Sequence, residues 1–363
     1  MELTLAEHSL HTYSLPYTRP VRWSDIVEDA GQFLLLRITA QSGHTGVAEI
    51  TIKPTWTGAS LPMLSAAIDD ILMPRLRNIE LSNVEQIRAV LDGIPENHAA
   101  KALIDNALWD LYASYRDQPL WKLWQGRQTV PLSWAVTRQA PVAMAAEAAE
   151  YVNRYGFSTL KIKGGQGIST DVRALREIRN AVGGDVILYV DANGAYSPSE
   201  AAEYASSMAD AGAQVVEDPC PLVPGAEFRK LQANSPVPVL VDFGCRSRRD
   251  ALLFMESDAR AISLKPGRFG LSDTKAMAAT ANDMGVRTVT GLFGESLLGT
   301  FTALQLSATL PETALAAEVT WFLSMTNQIV NIPFEIRNGM ATLPDIAGTA
   351  SFVDWQQTQR ITR

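Results

Sequence analysis

The sequence is poor in the residues on which many catalytic sites depend. Only four of its 363 residues are histidine, and all four lie within the first 98 positions. They are His8, His11, His44 and His98. The long remainder of the chain therefore cannot supply a histidine base, a Ser-His-Asp triad or a Cys-His pair. A zinc site is disfavoured there too, because zinc prefers clusters of histidine and cysteine.

Other absences disfavour membranes, secretion and nucleic acids. The chain has no run of 18 or more apolar residues, and residues 1–15 lack the apolar core of a signal peptide. Without an export signal, Cys220 and Cys245 are expected to be free thiols in a reducing cytoplasm. The net charge of -8 would repel nucleic acid and anionic membranes. We therefore expect a cytoplasmic protein whose partner is a small molecule.

From about Pro131 onward the sequence repeats one pattern. A short apolar, β-branched run is followed by a polar or glycine-containing turn and an alanine-rich helical stretch. Eight such runs are candidate strands: LSWAV (132–136), STLKIK (158–163), VILYVDA (186–192), AQVVED (213–218), VPVLVD (237–242), RAISLK (260–265), VRTVTG (286–291) and LAAEV (315–319). Eight βα units predict a (β/α)₈ barrel of the TIM type, with an open doubly wound sheet as the main alternative.

Residues 1–126 are organised differently. Alternating strands, FLLLRITA (33–40) and GVAEITIK (46–53), come before helical segments such as AAKALIDNALWDLYASYRD. We interpret this part as an α+β capping domain and residues 127–329 as the barrel. Residues 330–363 carry no further βα unit and are expected to return to the capping domain.

Ionisable residues end five consecutive predicted barrel strands, from the second to the sixth. They are Lys163, Asp191, Glu217, Asp242 and Lys265, at intervals of 23 to 28 residues. Because each interval is one βα unit, these side chains should lie at similar height around the carboxyl end of the barrel, where barrel enzymes hold their active sites. Three carboxylates would repel one another unless a cation lay among them. Oxygen ligands without histidine or cysteine favour Mg²⁺, or Mn²⁺ in its place.

The two lysines indicate the chemistry. Lys163 and Lys265 lie on strands four places apart in a ring of eight, so they should face each other across the barrel mouth. A divalent cation stabilises the enolate that forms when the proton beside a substrate carboxylate is removed, and a lysine can remove or return that proton. Because successive side chains of a strand point to opposite faces, Lys161 should point to the same face as Lys163, and Asn193 to the same face as Asp191.

With these motifs the chain resembles the enolase superfamily, in its muconate-lactonizing branch. That branch also includes o-succinylbenzoate synthases, N-acylamino acid racemases and dipeptide epimerases. The matching segments are LKIKGG (160–165), VDANGAYS (190–197), VEDP (216–219), VLVDFG (239–244), ISLKPGRFG (262–270), GLFGESLLGT (291–300) and, in the first domain, AKALIDNALWDLYASYRDQPLWKLWQG (100–126). The likeness covers nearly the whole chain.

The resemblance implies roles for individual residues. The implied metal ligands are Asp191, Glu217 and Asp242, and the implied acid and base groups are Lys163 and Lys265. Lys161 is implied as a supporting cation, and Glu295, after the seventh strand, as a residue at the pocket edge. One departure is plain: members of the family usually carry Asp-Glu-Ser at the fifth strand, whereas Phe243 and Gly244 follow the aspartate here. The ligand is kept, but the usual neighbouring negative charge is lost.

Substrate specificity in the family is implied to come from the first domain, which closes over the barrel mouth. Two of its loops, about residues 17–28 and 53–60, would contribute. The candidate side chains, including two after the eighth strand, are Trp23, Trp56, Trp321 and Phe322. Such aromatic groups could hold an apolar or cationic part of a substrate, or they could pack the interface between domains.

The motifs and the resemblance together favour a Mg²⁺-dependent isomerase that acts on a small carboxylate. Either a cycloisomerase of the muconate type or a racemase or epimerase of an amino-acid derivative fits. Elimination of water, as in the o-succinylbenzoate synthases, uses the same residues and is the first alternative. A barrel that binds a ligand without converting it is the second. The resemblance also implies a homo-oligomer, either a dimer or an octamer.

Overall fold

The computed structural model describes residues 3–23 and 26–361. The chain begins with an antiparallel sheet whose strands are β1 (Leu5–Trp23), β2 (Ile26–Ala40) and β3 (Thr45–Thr51). The helices that follow are α1 (Pro54–Thr57), α2 (Leu61–Ala66), α3 (Val84–Asp92), α4 (His98–Arg116) and α5 (Leu120–Leu123), with a π-helical turn at Ala67–Leu72 and a 3₁₀ turn at Met73–Leu76. This α+β arrangement agrees with the sequence pattern.

The hairpin of β1 and β2 is longer than the sequence indicated. Residues 17–28 were expected to form a loop, but Val21 pairs with Glu28 on the opposite strand. The loop prediction was wrong because Pro16 and Pro20 resemble turn residues, whereas the strand accommodates them through a shift in register between Pro16 and Val21. Residues 24 and 25, between the two strands, lie outside the described part of the chain.

Strands and helices alternate through the remainder of the chain. The strands are β4 (Thr129–Pro131), β5 (Trp134–Val136), β6 (Thr159–Lys163), β7 (Ile187–Asp191), β8 (Val216–Glu217), β9 (Val239–Val241), β10 (Ala261–Leu264) and β11 (Arg287–Thr290). The helices between and after them are α6 (Pro141–Tyr155), α7 (Ile168–Val182), α8 (Ala201–Asp210), α9 (Ala226–Asn234), α10 (Arg248–Glu256), α11 (Pro266–Phe269), α12 (Leu271–Asp283) and α13 (Leu297–Ser307).

The order of the strands establishes the architecture. Each strand from β5 to β11 pairs in parallel with the next one along the chain. A doubly wound sheet would reverse its strand order, so the predicted (β/α)₈ barrel is confirmed. The eighth predicted strand, residues 315–319, is not a regular strand. It still closes the ring, because the Leu315 N–H donates to the Thr288 carbonyl and the Ala317 N–H donates to the Pro131 carbonyl, both at 2.8 Å.

Helix α4 joins the first sheet to the barrel. Nearly every residue from Ala99 to Leu111 is buried, including the polar Lys101, Asp105 and Asn106, because the helix packs against both β3 and α11. Its Asn106 side chain donates to the Pro266 carbonyl and accepts the Leu271 N–H, each at 2.9 Å. The first domain therefore holds the short helix α11, directly after Lys265, in place.

The end of the chain contacts both parts of the protein. The described elements there are a 3₁₀ turn at Trp321–Ser324, β12 (Glu335–Arg337), β13 (Met340–Thr342), 3₁₀ turns at Ala350–Phe352 and Trp355–Gln357, and β14 (Gln359–Arg360). β13 pairs with β12 and with β4, whereas β14 pairs with β1. Among the described residues, no helix combines the length and apolarity needed to cross a membrane.

Candidate active site

The structure brings the five strand-end residues together at the carboxyl end of the barrel. Lys163, Asp191 and Glu217 are the last residues of β6, β7 and β8, while Asp242 and Lys265 follow β9 and β10 directly. Because these strands are neighbours in sequence order, their ends lie side by side. The Asp191 and Glu217 side chains are fully buried, and those of the two lysines are about nine-tenths buried.

A cavity of about 210 Å³ opens above these residues. Its described lining residues are Ile26, Thr55, Trp56, Lys163, Asn193, Asp242, Phe243, Lys265, Arg268, Leu292 and Phe293. The two lysines reach it from strands on opposite sides of the barrel. The first domain contributes Ile26, Thr55 and Trp56, so the cavity lies between the sheet of that domain and the barrel mouth.

Lys161 is the centre of a buried charge network below the cavity. Its Nζ lies 3.1 Å from an Asp191 oxygen, 2.7 Å from a Glu217 oxygen and 3.0 Å from a Glu318 oxygen. Burial alone would lower the pKa of Lys161, but the three carboxylates outweigh that effect and raise the pKa well above its ordinary value. Lys161 is therefore a fixed ammonium group that partly neutralises the acidic floor of the site.

Glu318 is a site residue that the sequence did not single out. Besides Lys161, its carboxylate accepts the Leu292 N–H at 3.0 Å and a short hydrogen bond from the Tyr189 hydroxyl. The signal that could have identified it is its place as the one ionisable residue near the end of the eighth apolar run, LAAEV. Its contact with Lys161 links the last part of the ring to the second strand.

The two cavity lysines each pair with a carboxylate. Lys163 Nζ lies 2.5 Å from Asp191 Oδ2, and Lys265 Nζ lies 2.5 Å from Asp242 Oδ2. Burial would raise the pKa values of both aspartates, but the neighbouring cations, chiefly Lys161 and Lys163 for Asp191 and Lys265 for Asp242, lower them. Asn193 donates its backbone N–H and its side-chain amide to Asp191, at 2.8 and 3.1 Å. Both aspartates are thus held ionised at the cavity floor.

Glu217, Asp218 and Asp242 form a compact acidic group. One carboxylate oxygen of each lies within 4.8 Å of the others, and all three residues are buried. Burial first, and repulsion from Asp191 next, raise the pKa of Glu217 well above its ordinary value. Burial and repulsion from Asp242 raise the pKa of Asp218 to about 7. Hard oxygen donors that destabilise one another in this way fit a divalent cation such as Mg²⁺ or Mn²⁺.

Asp218 differs from Glu217 and Asp242 because both of its carboxylate oxygens accept backbone N–H groups. Oδ1 accepts the Asp242 N–H at 3.2 Å, and Oδ2 accepts the Phe243 N–H at 2.6 Å. The carboxylate therefore fixes the turn that carries Asp242, while Asp191, which the sequence favoured as a ligand, pairs with lysines. Sequence reasoning missed Asp218, although it follows Glu217 directly.

We expect Asp218→Asn to weaken the binding of Mg²⁺ or Mn²⁺ about 10- to 100-fold. An amide can accept only one of the two backbone N–H groups and turns its own NH₂ toward the other, so the Asp242 turn loses its support. Calorimetric titration with either ion measures the effect. Asp210→Asn, at an exposed position, is the matched control. Equal affinity in Asp218→Asn and in the control would show that Asp218 does not orient the Asp242 turn.

Of the other site residues predicted from the sequence, some line the cavity and others do not. Trp56 and Asn193 line the cavity. Glu295 is buried beside it, accepts the Phe293 N–H at 2.8 Å and does not belong to the described lining; burial raises the pKa of Glu295 to about 7. Trp23 ends β1, and its side chain lies outside the described residues.

Trp321 and Phe322 are buried in packing contacts rather than at the cavity. Trp321 stacks on Trp134 and meets Tyr17 edge to face, with ring centroids 5.9 and 5.6 Å apart. Phe322 packs edge to face on Phe334, with centroids 5.6 Å apart. Neither residue belongs to the described cavity lining, which corresponds to the packing interpretation of these aromatic groups.

Comparison with known proteins agrees with this geometry. Residues 143–357 match the family described as enolase C-terminal domain-like, and residues 9–124 match the mandelate racemase / muconate lactonizing enzyme N-terminal domain. The chain is 31% identical to the L-Ala-D/L-Glu epimerase of Bacillus subtilis over 305 residues, which cover 81% of this chain and 82% of the epimerase. It is 27% identical to a chloromuconate cycloisomerase of Delftia acidovorans, with 96% of each chain covered.

A solved structure of the same B. subtilis epimerase, in a substrate-liganded complex, superimposes with a TM-score of 0.88 at 27% identity. The match covers 95% of this chain and 98% of that one. The structural similarity therefore extends over nearly the whole chain.

Proposed function

Because this chain is an isomerase of the enolase superfamily, in its muconate-lactonizing branch, we propose that it moves the proton on the carbon beside a substrate carboxylate. The reaction would be a racemisation, an epimerisation or a cycloisomerisation of a small carboxylate. Lys163 and Lys265 would be its acid and base groups.

One observation carries this proposal: both lysines line the same cavity from opposite sides. β6 and β10 are separated by three strands, so a flat group held between their ends presents one face to each Nζ. Lys163 would take the proton from one face, and Lys265 would serve the other. A racemase needs both lysines as proton carriers. A cycloisomerase needs one, and the other can remain an ammonium group that stabilises negative charge.

The acidic floor supports a requirement for a divalent cation. We propose that Asp191, Glu217 and Asp242 would hold Mg²⁺ or Mn²⁺, while Asp218 keeps its hydrogen bonds to the backbone. When bound, the cation supplies positive charge beside the substrate carboxylate and makes the neighbouring proton easier to remove. Lys161 would remain buried among the carboxylates and keep its proton, because its surroundings favour the charged form.

Proton exchange with solvent tests the proposal directly. Metal-depleted protein would be incubated in D₂O with N-acylamino acids, dipeptides, amino-acid betaines or cis,cis-muconate, with and without added Mg²⁺, and followed by NMR. We expect deuterium to enter beside the carboxylate of at least one compound only when Mg²⁺ or Mn²⁺ is present, and EDTA to abolish the exchange.

The product distinguishes the reactions. Deuterated substrate of inverted configuration indicates a racemase or epimerase, and a lactone indicates a cycloisomerase. A β-hydroxy carboxylate added to the set tests the synthase-type elimination, because its β-hydroxyl can leave as water when the α-proton is removed. Exchange that is insensitive to EDTA, or ligand binding with no exchange in any compound, would contradict the proposed function.

A further inference from the structure

We propose that Arg268 and Phe243 form a subsite for a second anionic group of the substrate, next to an apolar portion. This inference rests on the proposed function and adds a substrate class to it. The substrate would carry one carboxylate at the reacting carbon and another negative group at its far end. Arg268 would be a positioning residue, because it would touch the far group rather than the reacting atoms.

Arg268 lies on α11, three residues after Lys265, and faces the same cavity. Its side chain is only 12% exposed, so water screens its charge weakly. Its guanidinium donates to the Asp242 carbonyl at 3.2 Å and to the Phe243 carbonyl at 3.4 Å. A guanidinium carries five N–H donors. These two bonds orient the group, and donors remain for a ligand in the cavity.

The charge of Arg268 is poorly balanced within the cavity. The described carboxylate closest to it is that of Asp242, whose Oδ1 lies 3.6 Å away. Asp242 also pairs with Lys265 at 2.5 Å and belongs to the acidic group that fits a cation. At the adjacent position the chain carries Phe243, where the family it resembles usually carries a glutamate. Among the described residues, Arg268 therefore shares its one nearby carboxylate with Lys265.

The rest of the lining favours an anion with an apolar portion. Among the described lining residues, three are cationic and Asp242 is the sole carboxylate, so a substrate ammonium group would find no dedicated partner there. Phe243 is 47% exposed, unusually high for a large apolar ring at a cavity. A substrate that covered this ring and placed an anion against Arg268 would bury apolar surface and form charge-assisted hydrogen bonds together.

Matched pairs of compounds test the subsite. Each pair differs by one negative charge at nearly constant shape: N-succinyl-valine and N-butyryl-valine, Ala-Glu and Ala-Gln, and cis,cis-muconate and its monomethyl ester. For the pair whose second anion reaches Arg268, we expect the charged member to have a kcat/KM about 10- to 100-fold higher. The pair with the largest ratio identifies the source of the anion as an acyl group, an amino-acid side chain or a dicarboxylic acid.

Variants then assign the preference to Arg268. Arg268→Met and Phe243→Glu should both reduce the ratio to about one, the first by removing the cation and the second by placing a carboxylate beside it. Arg268→Lys should give an intermediate ratio, since it keeps the charge but not the planar fork. Arg246→Met is the matched control: the Arg246 guanidinium lies 5.7 Å from the centroid of the Phe243 ring and is outside the described lining.

A binding measurement gives a readout that does not require turnover. By calorimetry on metal-depleted protein, glutarate should bind more tightly than butyrate, and Arg268→Met should remove the difference. Ratios near one in the native protein, or ratios that Arg268→Met leaves unchanged, would overturn the subsite while proton exchange still supported the proposed function. If no compound exchanges its proton, the proposed function fails, and the glutarate comparison alone decides the subsite.

Discussion

Replacing either Lys163 or Lys265 with alanine should lower kcat for isomerisation by about 10²- to 10⁴-fold, the range expected when a positioned acid or base is removed. Each side chain lines the cavity and belongs to one side of the barrel mouth. If the reaction is a racemisation, each variant should still exchange the α-proton of one enantiomer, because the remaining lysine still reaches one face. The two variants should retain opposite enantiomers. Chiral NMR analysis of substrates recovered from D₂O measures this.

Two controls separate this effect from loss of folding or of charge. Lys230→Ala, at an exposed position on α9, should leave kcat unchanged. Lys265→Arg keeps a cation near Asp242 but cannot give up its proton in a protein. It should therefore bind substrate and, like Lys265→Ala, exchange the α-proton of only the enantiomer that Lys163 serves. If both alanine variants kept exchange of the same enantiomer, Lys163 and Lys265 could not be serving opposite faces. Full activity in either variant would remove that lysine from the reaction.

The strand-end residues could be predicted from the sequence because a barrel repeats one unit. Equal spacing and alternation place Lys163, Asp191, Glu217, Asp242 and Lys265 at the same end whatever the details of packing. Within each strand, the alternation of side chains then determines which residues face the barrel mouth. For this reason the sequence alone predicts both the barrel and the residues that meet at its mouth.

Other site residues depend on contacts between distant parts of the chain. Glu318 acquires its environment from Lys161, 157 residues earlier, and lies in a segment that closes the ring without forming a regular strand. Outside the cavity lining, Glu49 of β3 also depends on a distant partner: it is buried against the start of α13, where it accepts the Ser296 N–H at 2.8 Å. No local pattern specifies such partners. The length of the β1–β2 hairpin was not predicted for another reason: Pro16 and Pro20 are typical of turns, although the strand that contains them pairs with β2.

Lys161→Met should lower the free energy of unfolding by about 3–5 kcal/mol, the cost of leaving a buried charge network without its partner. The variant would leave the buried carboxylates of Asp191, Glu217 and Glu318 without the ammonium group that contacts all three. Urea unfolding in EDTA, followed by circular dichroism, measures the loss. Lys163→Met is the matched control on the same strand, and it should cost less because Lys163 is partly exposed and pairs with Asp191 alone.

The same experiment shows whether charge, rather than packing, causes the loss. Adding Glu318→Gln to Lys161→Met removes one of the buried carboxylates that have lost their ammonium partner. The double variant should therefore lose less free energy of unfolding than the sum of the losses in the two single variants. Saturating Mg²⁺ should also restore part of the stability of Lys161→Met, since a cation bound only by the folded protein both supplies positive charge and favours folding. A loss below about 1 kcal/mol, or additive losses unaffected by Mg²⁺, would mean that the carboxylates do not depend on Lys161. The larger, Mg²⁺-sensitive loss would identify Lys161 as the permanent counter-ion of the acidic floor.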